Sequence, residues 1–340
     1  MNTTPRPGLE RSRFTELDGM RGLLAVLVML YHLGLNSQLA RWTGGWLQGS
    51  RTSGWLQGSQ WQLCVDFFFV LSGFVLMHTG RQSHPSVLSF AQRRWWRLAP
   101  SLAVCTLAVW ALAPQAWPWT TVLANLLLIA PVLGLPLLDS PGWSISYEFV
   151  LPVLALWAWP RLPWLARLPT AGALALLLAV QASVMWGLAM GQAWAGSDLL
   201  RASVGLLLGA ALYRHWQHTP RSPHATRSTL ALAACIAMMA LAGVAPWAAV
   251  LFPTGCAAAL WWGAGASGLF SRAPLQWLGR HAYAIYLAHT PVLMAAIDMV
   301  DEPATRGVAP KLALVVVTFV LAALLHRMVE APLMRGAGTR

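Results

Sequence analysis

Charge is what this sequence has least of. Only 10% of its 340 residues are Asp, Glu, Lys or Arg, against about 25% in soluble domains, which excludes water-soluble globular, disordered and fibrous chains together. Lysine is all but missing: Lys311 stands alone, so the 23 Lys+Arg are otherwise arginine, set against 11 Asp+Glu. Cysteine is scarce too. Cys64, Cys105, Cys235 and Cys256 lie far apart in apolar stretches with no CxxC pair, which leaves no disulfide framework, and no metal site is expected. What remains is apolar, with 57% hydrophobic residues and 20 Trp and a mean hydropathy of +0.56. That is the composition of a polytopic membrane protein, and about 20 residues per span allow roughly ten helices. The net charge of +12 then reports orientation and anionic-lipid contact. No nucleic-acid partner is implied.

Residues 1–21 are basic and precede an apolar run that has no small-residue cleavage site, so they read as a retained signal anchor. Apolar windows fall near 22–36, 62–79, 98–113, 120–138, 143–159, 170–190, 198–213, 228–244, 247–269, 282–299 and 311–328. If every window crossed the membrane, Lys+Arg would divide 11 inside and 12 outside, which the positive-inside rule rejects. If the three windows between 98 and 159 cross only twice, 18 lie inside and Arg41, Arg51, Arg201, Arg306 and Lys311 outside. The expected fold is therefore an all-α, polytopic membrane helical bundle of about ten transmembrane helices. One re-entrant or interfacial element is expected near 114–143, where irregular backbone must line protein or water. Both termini, 1–21 and the tail 329–340, are expected to be cytoplasmic. The repeat Trp46-Leu-Gln-Gly-Ser50 and Trp55-Leu-Gln-Gly-Ser59 is too short for a solenoid unit and reads as a local duplication.

Ionisable residues within apolar spans are costly, and they are functional candidates for that reason. Here they are Asp18, Arg21, His32, Asp66, Glu148 and His289. Arg21 and His32 are eleven residues apart, which returns to within roughly 20° of one helix face about 16 Å further along. That places Arg21 at the inner rim and His32 near mid-membrane. Arg93, Arg94 and Arg97, in Arg-Arg-Trp-Trp-Arg, stand at spacings that let their guanidinium groups converge. They suit a clamp for a phosphorylated ligand, or an anchor with interfacial Trp. Asp66 opens Phe67-Phe68-Phe69-Val70-Leu71-Ser72-Gly73, where Ser72 and Gly73 permit close approach. Trp143, Ser144 and Tyr147 precede Glu148; that carboxylate could be a base, a hydrogen-bond acceptor for a sugar, or a paired structural carboxylate. Tyr283, Tyr286 and His289 recur three residues apart, as a polar stripe facing a cavity would.

In order along the chain stand Leu17-Asp18-Gly19-Met20-Arg21-Gly22 with His32 eleven residues past Arg21, Asp66-Phe67-Phe68-Phe69-Val70-Leu71-Ser72-Gly73-Phe74, Arg94-x-x-Arg97, Trp143-Ser144-Ile145-Ser146-Tyr147-Glu148, Tyr286-Leu287-Ala288-His289 and Val329-Glu330-Ala331-Pro332. Together they resemble the acyltransferase 3 family of integral-membrane O-acyltransferases. One departure is that Phe149 to Pro152 stand where the family usually carries a second acidic residue and an aromatic pair.

The resemblance implies transfer of an acyl group, most often acetyl, from cytoplasmic acyl-CoA to a hydroxyl of a carbohydrate or glycoside acceptor at the outer face. Acyl-CoA is then a co-substrate, and no cofactor is held permanently. Arg93, Arg94 and Arg97, with Arg21 and Ser72, would bind the donor. His32 would be general base or transient acyl carrier, with Asp18, Asp66 or Glu148 orienting it. Trp143, Ser144, Tyr286 and His289 would line the acceptor cavity. The expected setting is the bacterial inner (plasma) membrane. Residues 1–340 are expected to form one membrane-embedded domain without a fused soluble domain, finishing the transfer alone or through a separate periplasmic acyl-handling partner. A transporter or exporter of a glycan or amphipathic anion is the alternative, and a scaffold without chemistry a third; acyl-CoA turnover separates the first from both.

Overall fold

The computed structural model describes residues 14–33, 63–80, 86–112, 117–139, 141–158, 161, 169–192, 196–219, 222–242, 245–296 and 308–333. The tandem Trp repeat, residues 1–13 and the last seven residues lie outside them. The described residues are helical and contain no strand. In chain order the α-helices are α1 (Thr15–His32), α2 (Cys64–Gly80), α3 (Val87–Leu112), α4 (Trp119–Leu126), α5 (Gly142–Ala158), α6 (Thr170–Ala189), α7 (Ser197–His218), α8 (Ala225–Leu241), α9 (Pro246–Gly263), α10 (Ala273–Ala296) and α11 (Val308–Leu325). Each apolar window of the sequence holds one of them.

Three helices are long and apolar enough to cross a membrane by length and composition: Val87–Leu112, Thr170–Ala189 and Ala309–Leu333. Shorter apolar helices run over Cys64–Thr79, Gly142–Ala158 and Ala225–Leu241. The outer surface leaves Leu154, Trp157, Leu176, Val316 and Leu324 in the open, an apolar skin that lipid rather than water would cover. In contrast, α4 has eight residues, about 12 Å of helix against a hydrocarbon core of about 30 Å. Irregular chain follows it to Asp139.

Helices meet where small residues remove the side chain between them. Gly22 of α1 and Gly279 of α10 lie against each other's helices, so α1 and α10 pack backbone to backbone. They run parallel: Gln276 donates to the Thr15 carbonyl (2.6 Å) near one end, and His32 meets His289 near the other. Likewise α2 and α7 pack through Gly73, Gly205 and Gly209, none of which has room for a methyl group. Gly205 and Gly209 form the small-xxx-small spacing that lets membrane helices touch. This pair is also parallel, from Asp66–Arg201 (2.7 Å) to His78–Tyr213 (3.1 Å). Helix α5 runs antiparallel to α3, with Gly142 against Leu102 and Glu148 against Arg94.

His32 is the last residue of α1, which begins seven residues before the apolar window at 22–36 and ends within it. The hydropathy window began too late because α1 starts in a polar turn carrying Glu16 and Asp18, acids that the helix N-terminal dipole favours. Arg201 and Lys311, counted with the outer segments, are inside α7 and α11 and buried at 3% and 0% exposure. Both stand at the outer edge of an apolar window, 198–213 and 311–328, and Arg201 has partners that make its burial tolerable.

Candidate active site

Helix α10 is the spine of a polar seam with two stations. At the first, Arg21 of α1 donates from Nη2 to the Gly279 carbonyl (2.7 Å) and lies 3.8 Å from Asp18. One turn further, the Tyr283 hydroxyl donates to the Leu98 carbonyl of α3 (2.5 Å). Beside it Arg94 reaches inward from α3. Its Nε donates to the Glu148 carbonyl (2.6 Å), and Nη2 stands 4.0 Å from the Glu148 carboxylate. The other carboxylate oxygen of Glu148 accepts from Ser72 of α2 (3.1 Å). Arg93 and Arg97 are exposed. The three arginines therefore divide between one inward fork and two outward charges.

The second station is about 15 Å along α10, ten residues at 1.5 Å each. His289 is 1% exposed, and its Nε2 lies 2.8 Å from Nδ1 of His32. The two rings stack at 4.9 Å with an interplanar angle of 7°. The carbonyls of Ile285 and Tyr286 lie near the His289 ring in its own helix, and its buried Nδ1 closes no hydrogen bond. With the proton on Nδ1, toward these carbonyls, Nε2 is the acceptor of the contact with His32. In that tautomer His32 donates from Nδ1 and keeps the lone pair on Nε2, as a general base needs.

Next to this pair, Ser144 spends its one proton on the Pro141 carbonyl (3.1 Å), so the Tyr286 hydroxyl is the donor in the 3.0 Å contact with Ser144 Oγ. Phe68 meets the Tyr286 ring edge-on at 6.0 Å. Trp143 lies under the guanidinium of Arg201 at 5.2 Å and against Phe69 at 5.6 Å.

The carboxylates are placed differently from expectation. Asp66 does not reach His32: it accepts Nε and Nη2 of Arg201 (3.2 and 2.7 Å) and Gln181 (3.1 Å), deep between α2, α6 and α7. Arg201 also holds Asp198 at 3.1 Å. Glu148 is engaged by Ser72 and Arg94. Asp18 is fourteen residues before His32, about 21 Å away along α1. Each was a reasonable orienter by depth alone, but His32 takes its partner from another helix.

Sequence reasoning missed four groups. Arg201 could have been found as an arginine one turn after Asp198 at a span's edge. Glu16, 0% exposed, accepts from Gly268 and Ser271 (2.8 Å each) and ties down the turn Leu269–Ser271. Asp139 is 0% exposed, with Thr290 beside it and neither carboxylate oxygen closing a hydrogen bond. His326, paired with Glu330 at 2.6 Å, gave no signal. Among the described residues no group of three or more His, Cys, Asp or Glu could hold a metal ion.

The pattern of a family described as an acyltransferase domain matches residues 14–327. Two relatives match almost the whole chain. OatA, a peptidoglycan O-acetyltransferase of Listeria monocytogenes, is 24% identical over 95% of this chain and 56% of its own. YrhL of Bacillus subtilis, which bears a provisional peptidoglycan O-acetyltransferase name, is 25% identical over 93% and 54%. The chain spans about half the length of both relatives. BcsY of Komagataeibacter xylinus, provisionally named a membrane-bound transacylase, is 30% identical over 32% of this chain and 25% of its own. No solved structure matches.

Proposed function

The chain belongs to the acyltransferase 3 family, whose pattern runs from residue 14 to 327, and on that footing we propose that it moves an acetyl group from acetyl-CoA on the cytoplasmic side to a hydroxyl of a cell-envelope glycan at the outer face. The observation that carries this reading is the His32–His289 pair at one end of a seam whose other end is lined by Arg21 and Arg94. The relatives' names point to peptidoglycan as the acceptor class. Family membership also favours group transfer over the transporter reading.

In this reaction the donor phosphates meet Arg21 and Arg94 with Arg97, forks that hold phosphate oxygens two at a time. The thioester extends along α10 toward His32. His32 Nε2 takes the acceptor hydroxyl proton while the hydroxyl oxygen forms a bond to the thioester carbonyl carbon. The C–S bond then breaks, and the leaving sulfur takes the proton back from the imidazolium. His289 accepts from Nδ1 throughout and stabilises the charge that His32 gains. Ser144 and Tyr286 fix the wall on which the sugar rests, beside Trp143.

Ten crossings with both termini cytoplasmic suit this division. Crossings alternate in direction, so parallel α1 and α10 require an odd number between them, and parallel α2 and α7 require the same. Counting α4 makes both numbers even; leaving it out makes both odd. The length of α4 gives the same answer, which supports reading α4 and 127–139 as the element that does not cross.

The test is acetyl transfer by the purified chain in lipid nanodiscs, with acetyl-CoA and a soluble peptidoglycan fragment, read by mass spectrometry. Wild type should yield an O-acetylated fragment and free CoA. Absence of both, together with unchanged O-acetylation of envelope glycans in cells lacking the gene, would sink the proposal.

A further inference from the structure

Asp139 is 0% exposed, and among the described residues neither of its carboxylate oxygens has a hydrogen-bond partner. The other deeply buried acids are satisfied: Glu16 by Gly268 and Ser271, Asp66 by Arg201 and Gln181, Glu330 by Ser101 and His326. Burying an acid without donors is costly, and packing alone would be served better by an apolar side chain. The chain around Asp139 nevertheless holds it in place. Asn125 of α4 donates to the Thr121 and Pro136 carbonyls (2.9 and 3.0 Å) and accepts from the Leu138 amide (3.2 Å), which ties the irregular strap 127–139 back onto α4. On its other side the Asp139 carbonyl accepts from Gly142 N (2.8 Å), where α5 begins.

Two contacts fix its level on α10. Ser144, five residues further on, meets Tyr286 (3.0 Å); Leu138, one residue before, clusters with Val109 and Val122, and Met294 packs against that cluster. Tyr286, Thr290 and Met294 are four residues apart and share one face of α10. Thr290, the middle one, lies beside Asp139 and directly follows His289 in the chain. The unpartnered carboxylate therefore stands at the second station, on the wall next to the imidazole pair. We propose that Asp139, with Thr290, is a recognition subsite for the acceptor, in which a sugar hydroxyl other than the one being acylated donates to the Asp139 carboxylate; this rests on the acceptor reading above. The apolar contacts of the strap form a small cluster apart from the main core, so the strap can give way to a sugar ring without unpacking the helices. A buried acceptor of this kind discriminates sharply, because an analogue lacking the hydroxyl leaves the carboxylate unpaired.

The experiment measures equilibrium binding of a soluble peptidoglycan fragment, and of its monodeoxy analogues, to the full chain in nanodiscs without acetyl-CoA, so that no transfer enters the readout. Asp139→Asn should weaken binding of the fragment about tenfold or more, with acetyl-CoA affinity changed by less than about twofold. Its thermal unfolding midpoint should hold or rise, since an unpartnered acid has left the interior. One deoxy analogue should bind wild type about tenfold more weakly than the parent fragment, and in Asp139→Asn the two should bind alike. Should Asp139→Asn fail to insert, Thr290→Val keeps the shape, removes the neighbouring hydroxyl and should narrow the gap between the same two ligands. Unchanged affinity in Asp139→Asn, deoxy analogues that all bind wild type like the parent, an undiminished gap in the variant that inserts, or a fragment that does not bind wild type would each overturn the subsite. A wild type that binds the fragment with this pattern but transfers no acetyl group would sink the transfer reading and leave the subsite standing.

Discussion

Replacing His289 by alanine tests the tautomer argument directly. The substitution removes the Nε2 that lies 2.8 Å from His32 Nδ1 and frees the His32 ring from the stack that aligns it. His32 then gains charge in the transition state without an acceptor on Nδ1. A hydrogen bond to a charged group is worth about 1.5–3 kcal/mol, and each 1.4 kcal/mol is about tenfold, so kcat should fall roughly 10- to 150-fold. His32→Ala, which removes the base itself, should cost about 100- to 10,000-fold. The KM for acetyl-CoA should stay put in both, because the inner station is about 15 Å away along α10. Steady-state kinetics of purified variants decide it. A His289→Ala enzyme within about threefold of wild type would reduce the pair to a packing contact, well below the range expected for such a bond. A loss larger than that of His32→Ala would make His289 the base.

The remaining predictions follow from the same contacts. Arg94→Lys cannot reproduce the Nε bond to the Glu148 carbonyl together with the second contact to its carboxylate, and CoA affinity should weaken by about 1–3 kcal/mol. Arg93→Lys should leave CoA titrations unchanged, and an equal loss there would point to a general charge effect. Arg201→Ala strands Asp66 without its main partner, so the variant should lose about 3–5 kcal/mol of stability; an unshifted thermal unfolding midpoint in detergent would show the pair to be dispensable. For topology, a cysteine at Ser222 should be shielded from an impermeant outer-face thiol reagent while one at Gln192 reacts, and the reverse pattern would invert the seam.

The sequence made one face of α1 legible and left its depth obscure. The eleven-residue spacing of Arg21 and His32 correctly put both side chains against a single partner helix, because helical geometry fixes angle from sequence alone. Position along the bilayer came from a hydropathy window instead. That window discounted the polar first turn, in which Glu16 serves the 268–271 turn and Asp18 meets Arg21, and so began seven residues inside the helix. Arg201 shows the same limit from the other side. It stood inside the window 198–213 and was counted only for its side of the membrane, whereas Asp66, 135 residues earlier, gives it a buried partner that no local pattern contains.

Partners across long separations are also what decided the carboxylates. Asp18, Asp66 and Glu148 were equal candidates while only depth was known, since each is an acid within or beside an apolar run. The helix pairs separate them. Gly73, Gly205 and Gly209 draw α2 onto α7, which brings Asp66 to Arg201; α3 and α5 run antiparallel, which brings Glu148 to Arg94. Gly22 and Gly279 draw α1 onto α10 in parallel, and only that direction lets Arg21 sit at the level of Gly279 while His32 meets His289. Reversing either helix would exchange the ends and put the basic imidazole beside the arginines. The glycines were visible in the sequence as places of close approach, but which helix approached them was not. The small residues that carry no chemistry therefore determine which charged residues can act together.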